Sequence, residues 1–402
     1  MTSQQPTTDA KEVTMTEPNQ TEPNQTAAKE PALNETPLAT EHEALGASFT
    51  DFGGWRMPLK YTSELDEHHA VRTAVGMFDL SHMGEIRVVG PEAATFLNTA
   101  LVGNLAKAEP GRAKYSLMVD DDGGIIDDLI SYRIEETEYL VIPNAGNSET
   151  VVAEFTARAA NFDVEIWDES EGIGLIAVQG PNSEALISSV VRANETFVVE
   201  NLKSYTHTTV SIGGEEVLLA RTGYTGEDGF ELYLPHDKVG ALWRALLAGG
   251  ADFGLVPCGL ACRDSLRLEA GMPLYGNELS LTRRPQEAGL PVVAYSKEED
   301  FIGRAALEAA KSEGLGKTTG QRLMGLISTG KRAGRTGYAV TNDDGTVIGE
   351  VSSGAPSPTL GYAIAMAYLD VEYTEPGTQV NVDVRGKPLP FEVIKLPFYT
   401  RD

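Results

Sequence analysis

The sequence predicts an α+β fold with two related halves, each a split-βαβ-like subdomain, followed by a C-terminal all-β barrel domain. Three observations indicate this fold class. A strand that ends at Gly90-Pro91 leads into a helix, and the same pattern returns 90 residues later at Gly180-Pro181. Each helix is followed by hairpin strands and a second helix. From Arg322 onward, short apolar runs alternate with the turn sequences NDDG, SSG, EPG and RGK.

The first 42 residues differ in composition from the rest of the chain. They contain the tandem repeat TEPNQ at 16–20 and 21–25 and have no aromatic residue, so they cannot bury enough apolar area to order themselves. A secretory signal needs an apolar core and a transit peptide needs arginines with few acids, and this segment has neither pattern. We therefore expect a disordered tail over residues 1–42.

The first subdomain is expected over residues 43–170. The pair Asp122-Gly123 between two apolar runs is a hairpin signal, and Pro91 suits the first position of a helix because its missing N–H would be unpaired there anyway. The predicted elements are a helix over 64–74, a strand over 85–89, a helix from 91, hairpin strands over 114–119 and 125–134, a strand over 138–144 and a helix over 149–160.

The second subdomain is expected over residues 171–310 and repeats this order. Its predicted elements are a strand and helix over 174–191, a hairpin around Gly213-Gly214, a strand over 229–234 and helices over 238–247, 258–270 and 304–311. A polar, glycine-rich link over 312–320 follows, so we expect a domain boundary there and the barrel domain over 321–402.

Composition and charge exclude several classes of protein. The chain has 402 residues, of which 41% are hydrophobic, enough for two or three domain cores. Its 32 basic and 59 acidic residues give a net charge of −27, which argues against nucleic acid as a partner because phosphate binding needs clustered Lys and Arg. No apolar run of about 18 residues occurs, so no membrane span is predicted. No GxGxxG or GxxxxGK[ST] motif indicates a nucleotide-binding fold.

No metal site is predicted. Cys258 and Cys262 lack the paired CxxC spacing of a zinc site and are too few for a disulfide framework, which favours buried thiols in a reducing cytoplasm. His82 has no partner at ligand spacing, and the remaining histidines are scattered or adjacent. A Ser81-His82 nucleophile pair is not expected either, because adjacent residues on a strand point to opposite sides.

The stretch RTGYTGEDGFELYL, residues 221–234, combines a glycine-rich loop with an alternating strand. Phe230 and Leu232 share one face of that strand, so Glu231 and Tyr233 share the other. If the face carrying Glu231 looks at water, the acid is an ordinary surface carboxylate. If that face lines a cavity, Glu231 is a fixed acceptor for a planar, nitrogen-rich ligand, and this stretch alone leaves both readings open.

Three further charged residues stand in positions that could carry chemistry. Asp127 and Asp128 lie within the apolar alternation of a hairpin strand, where each must be hydrogen-bonded, shifted in pKa or directed into a pocket. The alternative is that an acid near a strand end bonds a nearby loop. Arg263 could clamp a ligand carboxylate, or it could pair with Asp264 or Glu269 on the same helix.

Several segments together resemble the aminomethyltransferase (T protein) family of the glycine cleavage system. The resemblance covers residues 43–402 and rests on MFDLSHMGEIRVVGPEAATFL, KYSLMVDDDGGIIDDL, RTGYTGEDGFELYLP, CGLACRDSLRLEAGMPLYGNEL and the closing KLPFY, in this order. The motif RDSLRLEAGMPLYG alone would also fit folate-binding relatives such as dimethylglycine and sarcosine dehydrogenases. Those proteins carry a flavin domain for which this chain has no room.

The resemblance implies a fold and a set of site residues. Three domains would form a cloverleaf around a central folate channel. Asp128 matches the catalytic aspartate of the family, chosen over Asp127 on the Asp-Leu pair. Glu231 and Tyr224 match residues that hold the pterin, and two further substrate contacts match Arg263 and Tyr399.

The implied reaction transfers a methylene unit to tetrahydrofolate. An aminomethyl group on the lipoyl arm of a separate carrier, the H protein, loses ammonia as its carbon passes to the folate. The decarboxylase (P) and lipoamide dehydrogenase (L) components would act on the same carrier, in the cytoplasm. The rival readings are a folate-binding repair or assembly protein without turnover, and a demethylase that has lost its oxidase partner. An acid at position 128 favours the enzyme over the first rival.

Overall fold

The structure, a computed structural model, describes Met1 and residues 32–328 and 330–401. The described residues form two open sheets with helices packed against them, a two-stranded ribbon and a closed barrel. The prediction of a mixed α and β fold with a C-terminal barrel is therefore confirmed. None of the helices in these ranges is long and apolar enough to cross a membrane.

The folded body begins before residue 43. Leu38 is fully buried, and Asp79 Oδ2 accepts a hydrogen bond of 2.6 Å from Thr36 Oγ1 and lies 2.8 Å from His42 Nε2. These buried polar contacts hold a segment whose composition alone predicts disorder. The tail prediction is wrong for residues 33–42, and its part over 2–31 lies outside the described residues. The elements of this region are α1 (Ala39–Ala44), β1 (Ser48–Phe52), β2 (Trp55–Lys60), α2 (Glu64–Thr73) and β3 (Val75–Asp79).

The first sheet has the strand order β5-β6-β7-β4-β8, with every neighbouring pair antiparallel. Two helices cover one of its faces around the buried rings of Phe96 and Phe155. The elements are β4 (Ile86–Val89), α3 (Ala93–Ala100), β5 (Ala113–Val119), β6 (Ile125–Glu135), β7 (Glu138–Ile142), α4 (Ser148–Arg158) and β8 (Glu165–Asp168).

The second sheet has the order β10-β11-β12-β9-β3-β13, in which the β3–β13 pair is parallel and the others are antiparallel. The run β10-β11-β12-β9 repeats the run β5-β6-β7-β4 of the first sheet, so the predicted repeat is confirmed. The elements are β9 (Ile173–Gln179), α5 (Ser183–Val190), α6 (Thr196–Asn201), β10 (His207–Ile212), β11 (Glu215–Ala220), β12 (Gly229–Pro235), α7 (Val239–Gly250) and β13 (Leu255–Pro257).

Strand β3 shows that the two sheets do not separate at one point of the chain, as the predicted boundary at residue 170 assumes. It precedes the whole first sheet in sequence but lies between β9 and β13 of the second sheet. All five of its residues are buried, so it lacks the polar and apolar alternation that marks a half-exposed strand. The chain therefore starts in the second sheet, crosses to the first and returns.

The C-terminal part of the chain contributes two further α-helices and the barrel. Helix α8 (Leu260–Glu269) contacts α2 and the barrel. Helix α9 (Arg304–Ser312) precedes the barrel in the chain. The barrel order is β14-β17-β16-β15-β18-β19. Its strands are β14 (Gln321–Ser328), β15 (Ala339–Thr341), β16 (Val347–Pro356), β17 (Ala363–Asp370), β18 (Gln379–Asp383) and β19 (Pro388–Ile394).

Candidate active site

A cavity of 270 Å³ lies between the two open sheets. Strand β6 of the first sheet contributes Asp128, β12 of the second sheet contributes Glu231, and the glycine loop before β12 contributes Tyr224. Helix α8 contributes Arg263. Four of the five site residues that the family resemblance implies therefore line one cavity.

Glu231 faces this cavity and not the surrounding solvent. The alternation predicted for β12 is present, since Phe230 and Leu232 are fully buried in the core on the other face of the strand. Glu231 Oε2 accepts hydrogen bonds from Thr222 Oγ1 at 2.6 Å, Tyr132 Oη at 3.0 Å and Tyr233 Oη at 3.3 Å. No described residue donates to Oε1, so one oxygen holds the side chain in place while the other remains available to a ligand.

The two phenols that hold Glu231 remain donors at any ordinary pH. Burial raises the pKa of Tyr132 and of Tyr233 well above the usual value, and the Glu231 carboxylate raises both further. Because neither phenol ionises, neither can repel the carboxylate that it binds. The position of Glu231 is therefore set by neutral, permanently protonated partners.

Asp128 lines the same cavity and its carboxylate accepts fewer side-chain hydrogen bonds than that of Glu231. Its Oδ2 accepts from Tyr115 Oη at 2.9 Å, and its Oδ1 accepts from Asn144 Nδ2 at 2.8 Å. Burial raises the pKa of Asp128, and the bonds from Tyr115 and Asn144 offset only part of that rise. A carboxyl group that lines a cavity with a raised pKa is suited to exchange a proton with a ligand.

Asp128 lines the cavity and its neighbour Asp127 does not, as expected for adjacent strand residues, but one side-chain amide contacts both. Asn144 Nδ2 lies 2.9 Å from Asp127 Oδ1, so one amide bridges both aspartates. The hairpin is regular at these two residues, since Met118 pairs with Asp127 and Leu117 pairs with Asp128, and its register shifts only beyond them, between Met118 and Val119. Asp127 is fully buried and does not line the cavity.

Asp127 is itself a perturbed acid. Burial raises its pKa to about 7, with the charge of Asp128 as the next cause, against the hydrogen bonds from Asn147 and Asn144. Those bonds run from Asn147 Nδ2 at 2.6 Å and from the backbone N–H of Asn144 at 3.0 Å. Asp127 therefore holds the loop that carries Asn144, which in turn contacts Asp128.

Arg263 has no carboxylate partner among the residues that the structure describes. The two acids that could have neutralised it are engaged elsewhere: Asp264 pairs with Arg267 at 2.7 Å, and Glu269 pairs with Arg72 at 2.8 Å. The Arg263 guanidinium lies 4.8 Å from the ring centroid of Tyr224. The alternative of an ion pair with Asp264 or Glu269 on the helix is therefore wrong, and Arg263 lines the cavity without a carboxylate at salt-bridge distance among the described residues.

The other two tyrosines of the prediction differ in placement. Tyr224 lines the cavity, and its hydroxyl donates to Pro273 O at 2.5 Å. Tyr399 is not among the residues that line the cavity. Its backbone N–H donates to Glu269 O at 2.8 Å, and its ring lies 4.1 Å from the guanidinium of Arg72. Its role as a substrate contact stays a prediction.

The sequence analysis missed several residues that line the cavity, chiefly Tyr115, Asn144 and Tyr205. Tyr115 could have been found, because Leu117 pairs with Asp128 across the hairpin and Tyr115 is therefore the diagonal neighbour on the same face. Asn144 and Tyr205 carry no signal in the sequence. His82 also lines the cavity, where burial lowers its pKa to about 4.

One group of potential metal ligands occurs among the described residues, formed by Glu67, Cys258 and Cys262, all buried. Glu67 accepts hydrogen bonds from the backbone N–H groups of Tyr61 at 2.7 Å, Thr62 at 2.9 Å and Gly259 at 2.9 Å. Its carboxylate thus already ties the β2–α2 loop to the start of α8.

Comparison with known proteins gives one consistent family. The sequence model of the GCVT N-terminal domain matches residues 38–297, and that of the glycine cleavage T-protein C-terminal barrel domain matches residues 321–400. A protein of Streptomyces coelicolor named aminomethyltransferase is 53% identical over 371 residues, covering 92% of this chain and 98% of that protein.

More distant relatives agree. An aminomethyltransferase of Corynebacterium jeikeium is 50% identical over 389 residues, covering 92% of this chain and 99% of its own length. The crystal structure of glycine cleavage system aminomethyltransferase T from Bartonella henselae superposes with a TM-score of 0.83 at 35% identity, over 91% of this chain and 98% of that one. The likeness therefore extends over both open sheets and the barrel.

Proposed function

The chain belongs to the glycine cleavage T-protein family, and from that premise we propose how its cavity serves the aminomethyltransferase reaction. In that reaction the methylene carbon of a lipoyl-bound aminomethyl group passes to tetrahydrofolate. Ammonia is released, and the products are 5,10-methylenetetrahydrofolate and the dihydrolipoyl carrier. The observation that carries the proposal is that Asp128 and Glu231 face one cavity with different hydrogen-bond environments.

Glu231 is the pterin-binding carboxylate of this proposal. Three hydroxyl groups hold its Oε2, which leaves Oε1 to accept from the N–H groups on the amino-pyrimidine edge of the pterin. A hydrogen bond to an ionised acceptor is stronger than one between neutral groups. Tyr224 and Arg263, which stack on one another at the same cavity, add a ring and a cation to the binding surface.

Asp128 is the catalytic residue of this proposal. Its raised pKa keeps a proton within reach of exchange, and its charged form stabilises the positive charge that develops as ammonia leaves. Tyr115 and Asn144 fix its two oxygens, so little reorganisation is needed when the charge appears. No protein nucleophile is required, because the folate nitrogen attacks the carbon.

The reaction also requires partners. We propose that the lipoylated H protein presents its arm to the cavity, and that the P and L components of the system load and reoxidise the same carrier. We place these events in the cytoplasm. Tyr399 belongs to the proposal as a contact for a part of the substrate outside the cavity.

A turnover experiment tests this function. Purified protein is mixed with tetrahydrofolate and with H protein that carries the aminomethyl group, and both ammonia and 5,10-methylenetetrahydrofolate are measured. We expect both products in equal amounts and none when the carrier lacks its lipoyl group. A protein that binds tetrahydrofolate but forms neither product would support the repair or assembly role. Oxidation of dimethylglycine with an added electron acceptor would support the demethylase.

A further inference from the structure

Gln179, the last residue of β9, carries a side-chain amide that is buried but does not line the cavity. It stands on the same face of the second sheet as Glu231, since the residue that pairs with it across the ladder is Gly229. Its side chain contacts the glycine-rich loop over residues 221–228, which joins β11 to β12. Because a buried amide needs hydrogen-bond partners, these contacts decide what the side chain does.

Both ends of the Gln179 amide bond to this loop. Its Nε2 donates to Thr222 O at 3.0 Å, and its Oε1 accepts from Thr225 Oγ1 at 2.9 Å. Thr225 is fully buried, so solvent does not compete for its hydroxyl. The amide therefore crosslinks two loop residues that are three positions apart.

Two of the three glycines between residues 221 and 229 make room for this amide. A Cβ at Gly223 would lie 1.9 Å from Gln179 Oε1, and a Cβ at Gly229 would lie 2.3 Å from Nε2. Packed atoms do not approach so closely, so a larger residue at either position would displace the amide. Positive φ is not the reason for these two glycines; it occurs at Gly226, with φ of +81°. The glycines at 223 and 229 therefore provide the space in which Gln179 lies.

The first half of the repeat shows that the sheet itself does not need a glutamine here. Val89 occupies the equivalent position, because each residue directly precedes the matching Gly-Pro pair. Val89 pairs with Glu138 at the start of β7, as Gln179 pairs with Gly229 at the start of β12. In the first half the two strands are joined by residues 136–137 alone, whereas the second half has the eight-residue loop. The glutamine therefore occurs together with the loop, while the same strand pairing forms with valine.

The segment that Gln179 crosslinks carries two groups of the cavity. Thr222, whose carbonyl accepts from Gln179, donates its own hydroxyl to Glu231 Oε2 at 2.6 Å. Tyr224 lies between the two crosslinked threonines and lines the cavity beside Arg263. Because the backbone of Thr222 is held by the amide, the position from which its hydroxyl reaches Glu231 is held as well.

We propose that Gln179 is a positioning residue, which fixes the glycine-rich loop so that Thr222 holds the Glu231 carboxylate ready for the folate. This inference rests on the proposed function, because it assumes tetrahydrofolate as the ligand of Glu231. A loop that is crosslinked before the ligand arrives loses little conformational freedom on binding. Asp128 belongs to the other sheet and has no contact with Gln179, so the amide acts on folate binding and not on the transfer step.

The experiment removes the hydrogen bonds of the amide while keeping its length. For Gln179→Met we measure Tm, the Kd of tetrahydrofolate and the single-turnover transfer rate at saturating folate. We expect the Kd to rise about tenfold, the loss expected for two hydrogen bonds, and the transfer rate to stay at the parent value. Thr225→Val removes one of the two bonds and should raise the Kd by a smaller factor, so the test stands even if Gln179→Met does not fold.

A double-mutant cycle tests whether the amide acts through Thr222. Thr222→Val removes the hydroxyl that donates to Glu231. Combined with Gln179→Met, it should raise the Kd by less than the product of the two single effects, because both changes disrupt the same contact. Val89→Ala, at the equivalent position of the first half, is the matched control. It should keep the parent Kd even where it lowers Tm.

Four results would overturn the inference. An unchanged Kd in Gln179→Met and Thr225→Val would mean that the loop needs no crosslink to bind folate. An equal rise in the Kd of Val89→Ala would assign the effect to lost stability in general. Single effects that multiply in the double variant would show that Thr222 does not transmit them. A slower transfer at saturating folate with the parent Kd would place the effect on the reaction step. Failure of the parent protein to bind tetrahydrofolate is distinguishable from all four, because it refutes the proposed function itself.

Discussion

The two carboxylates of the cavity come from the two halves of the repeat and are held in different ways. Glu231, from the second half, has one oxygen surrounded by three hydroxyl donors and the other open to the cavity. Asp128, from the first half, has one donor on each oxygen, a phenol and an amide. Permanent donors on one oxygen make Glu231 a fixed acceptor, whereas a raised pKa makes Asp128 a group that exchanges protons.

A third acid, Glu269, differs from both because its carboxylate is fully engaged by other side chains. Glu269, at the end of α8, is fully buried and closed to any ligand: it pairs with His68 at 3.1 Å and Arg72 at 2.8 Å and accepts from Ser357 Oγ at 2.5 Å. Burial alone would raise the pKa of Glu269, but His68 above all, with Ser357 and Arg72, lowers it to about 2. The comparison teaches that the number and kind of donors, more than depth of burial, separate binding, proton-exchanging and structural carboxylates.

The largest effect should come from Asp128→Asn. The amide keeps the shape of the side chain but removes the charge and the exchangeable proton, so the transfer rate should fall by about 10²–10⁴-fold. Binding of tetrahydrofolate should change little, because Glu231 is untouched. Single-turnover rates and equilibrium Kd values measure the two effects separately. If Asp128→Asn were nearly silent while Asp127→Asn abolished transfer, the roles of the two aspartates would be exchanged.

The next effect concerns the contribution of the buried, ion-paired Glu269 to the free energy of unfolding at acid pH. Because the pKa of Glu269 falls from 4.5 to about 2 on folding, its contribution is present above pH 4.5 and is lost as the pH falls towards 2. That contribution amounts to about 3 kcal/mol of the unfolding free energy. Denaturant unfolding of the parent and of Glu269→Gln across this range should show the difference shrinking with falling pH. A pH-independent difference would contradict the ion-paired state.

Glu231→Gln should weaken tetrahydrofolate binding by about 10- to 100-fold, the loss expected for a hydrogen bond to a charged acceptor. The amide also presents a donor where the pterin edge itself donates. Calorimetry gives the Kd directly, and the rise in Tm caused by the folate should shrink in parallel. Glu216→Gln, an exposed acid on the neighbouring strand β11, is the control and should bind as the parent does. Equal affinity in Glu231→Gln would place the pterin elsewhere.

The smallest effect is expected for Asp127→Asn. Asp127 reaches the cavity only through Asn144, so we expect roughly a tenfold fall in the transfer rate, below the loss for Asp128→Asn. The replaced group would also turn an amide donor towards Asn144 and Asn147, which are donors themselves. Asp121→Asn, exposed in the turn between β5 and β6, is the matched control. A loss as large as that of Asp128→Asn would show that the pair titrates as one unit.

Local patterns in the sequence determined much of the fold. The Gly-Pro ends of β4 and β9, the Asp-Gly hairpin between β5 and β6, and the alternation in β12 each depend on a few neighbouring residues, and each is present in the structure. For the same reason, the face that Glu231 occupies could be read from the chain. What that face contacts could not be read, because the cavity also takes residues from β6, a strand that lies far from Glu231 in the sequence.

The family motifs supplied the site residues, and the tertiary structure decided their environment. A motif names Arg263, but only the fold engages Asp264 and Glu269 with other cations and leaves Arg263 without a carboxylate. Likewise Asp127 and Asp128 are adjacent in sequence, yet only the loop after β7, which carries Asn144, brings one amide to both.

The sequence by itself determined the order of the elements, the repeat and the barrel, because these follow from short-range periodicity and turn chemistry. Only the tertiary structure decided that β3 lies in the second sheet and that residues 33–42 are ordered. Both depend on partners far apart in the chain, such as Asp79 for Thr36 and β9 for β3. Composition and local pattern do not predict such pairs, because the interaction free energy of each pair arises only when segments that are distant in the sequence come together.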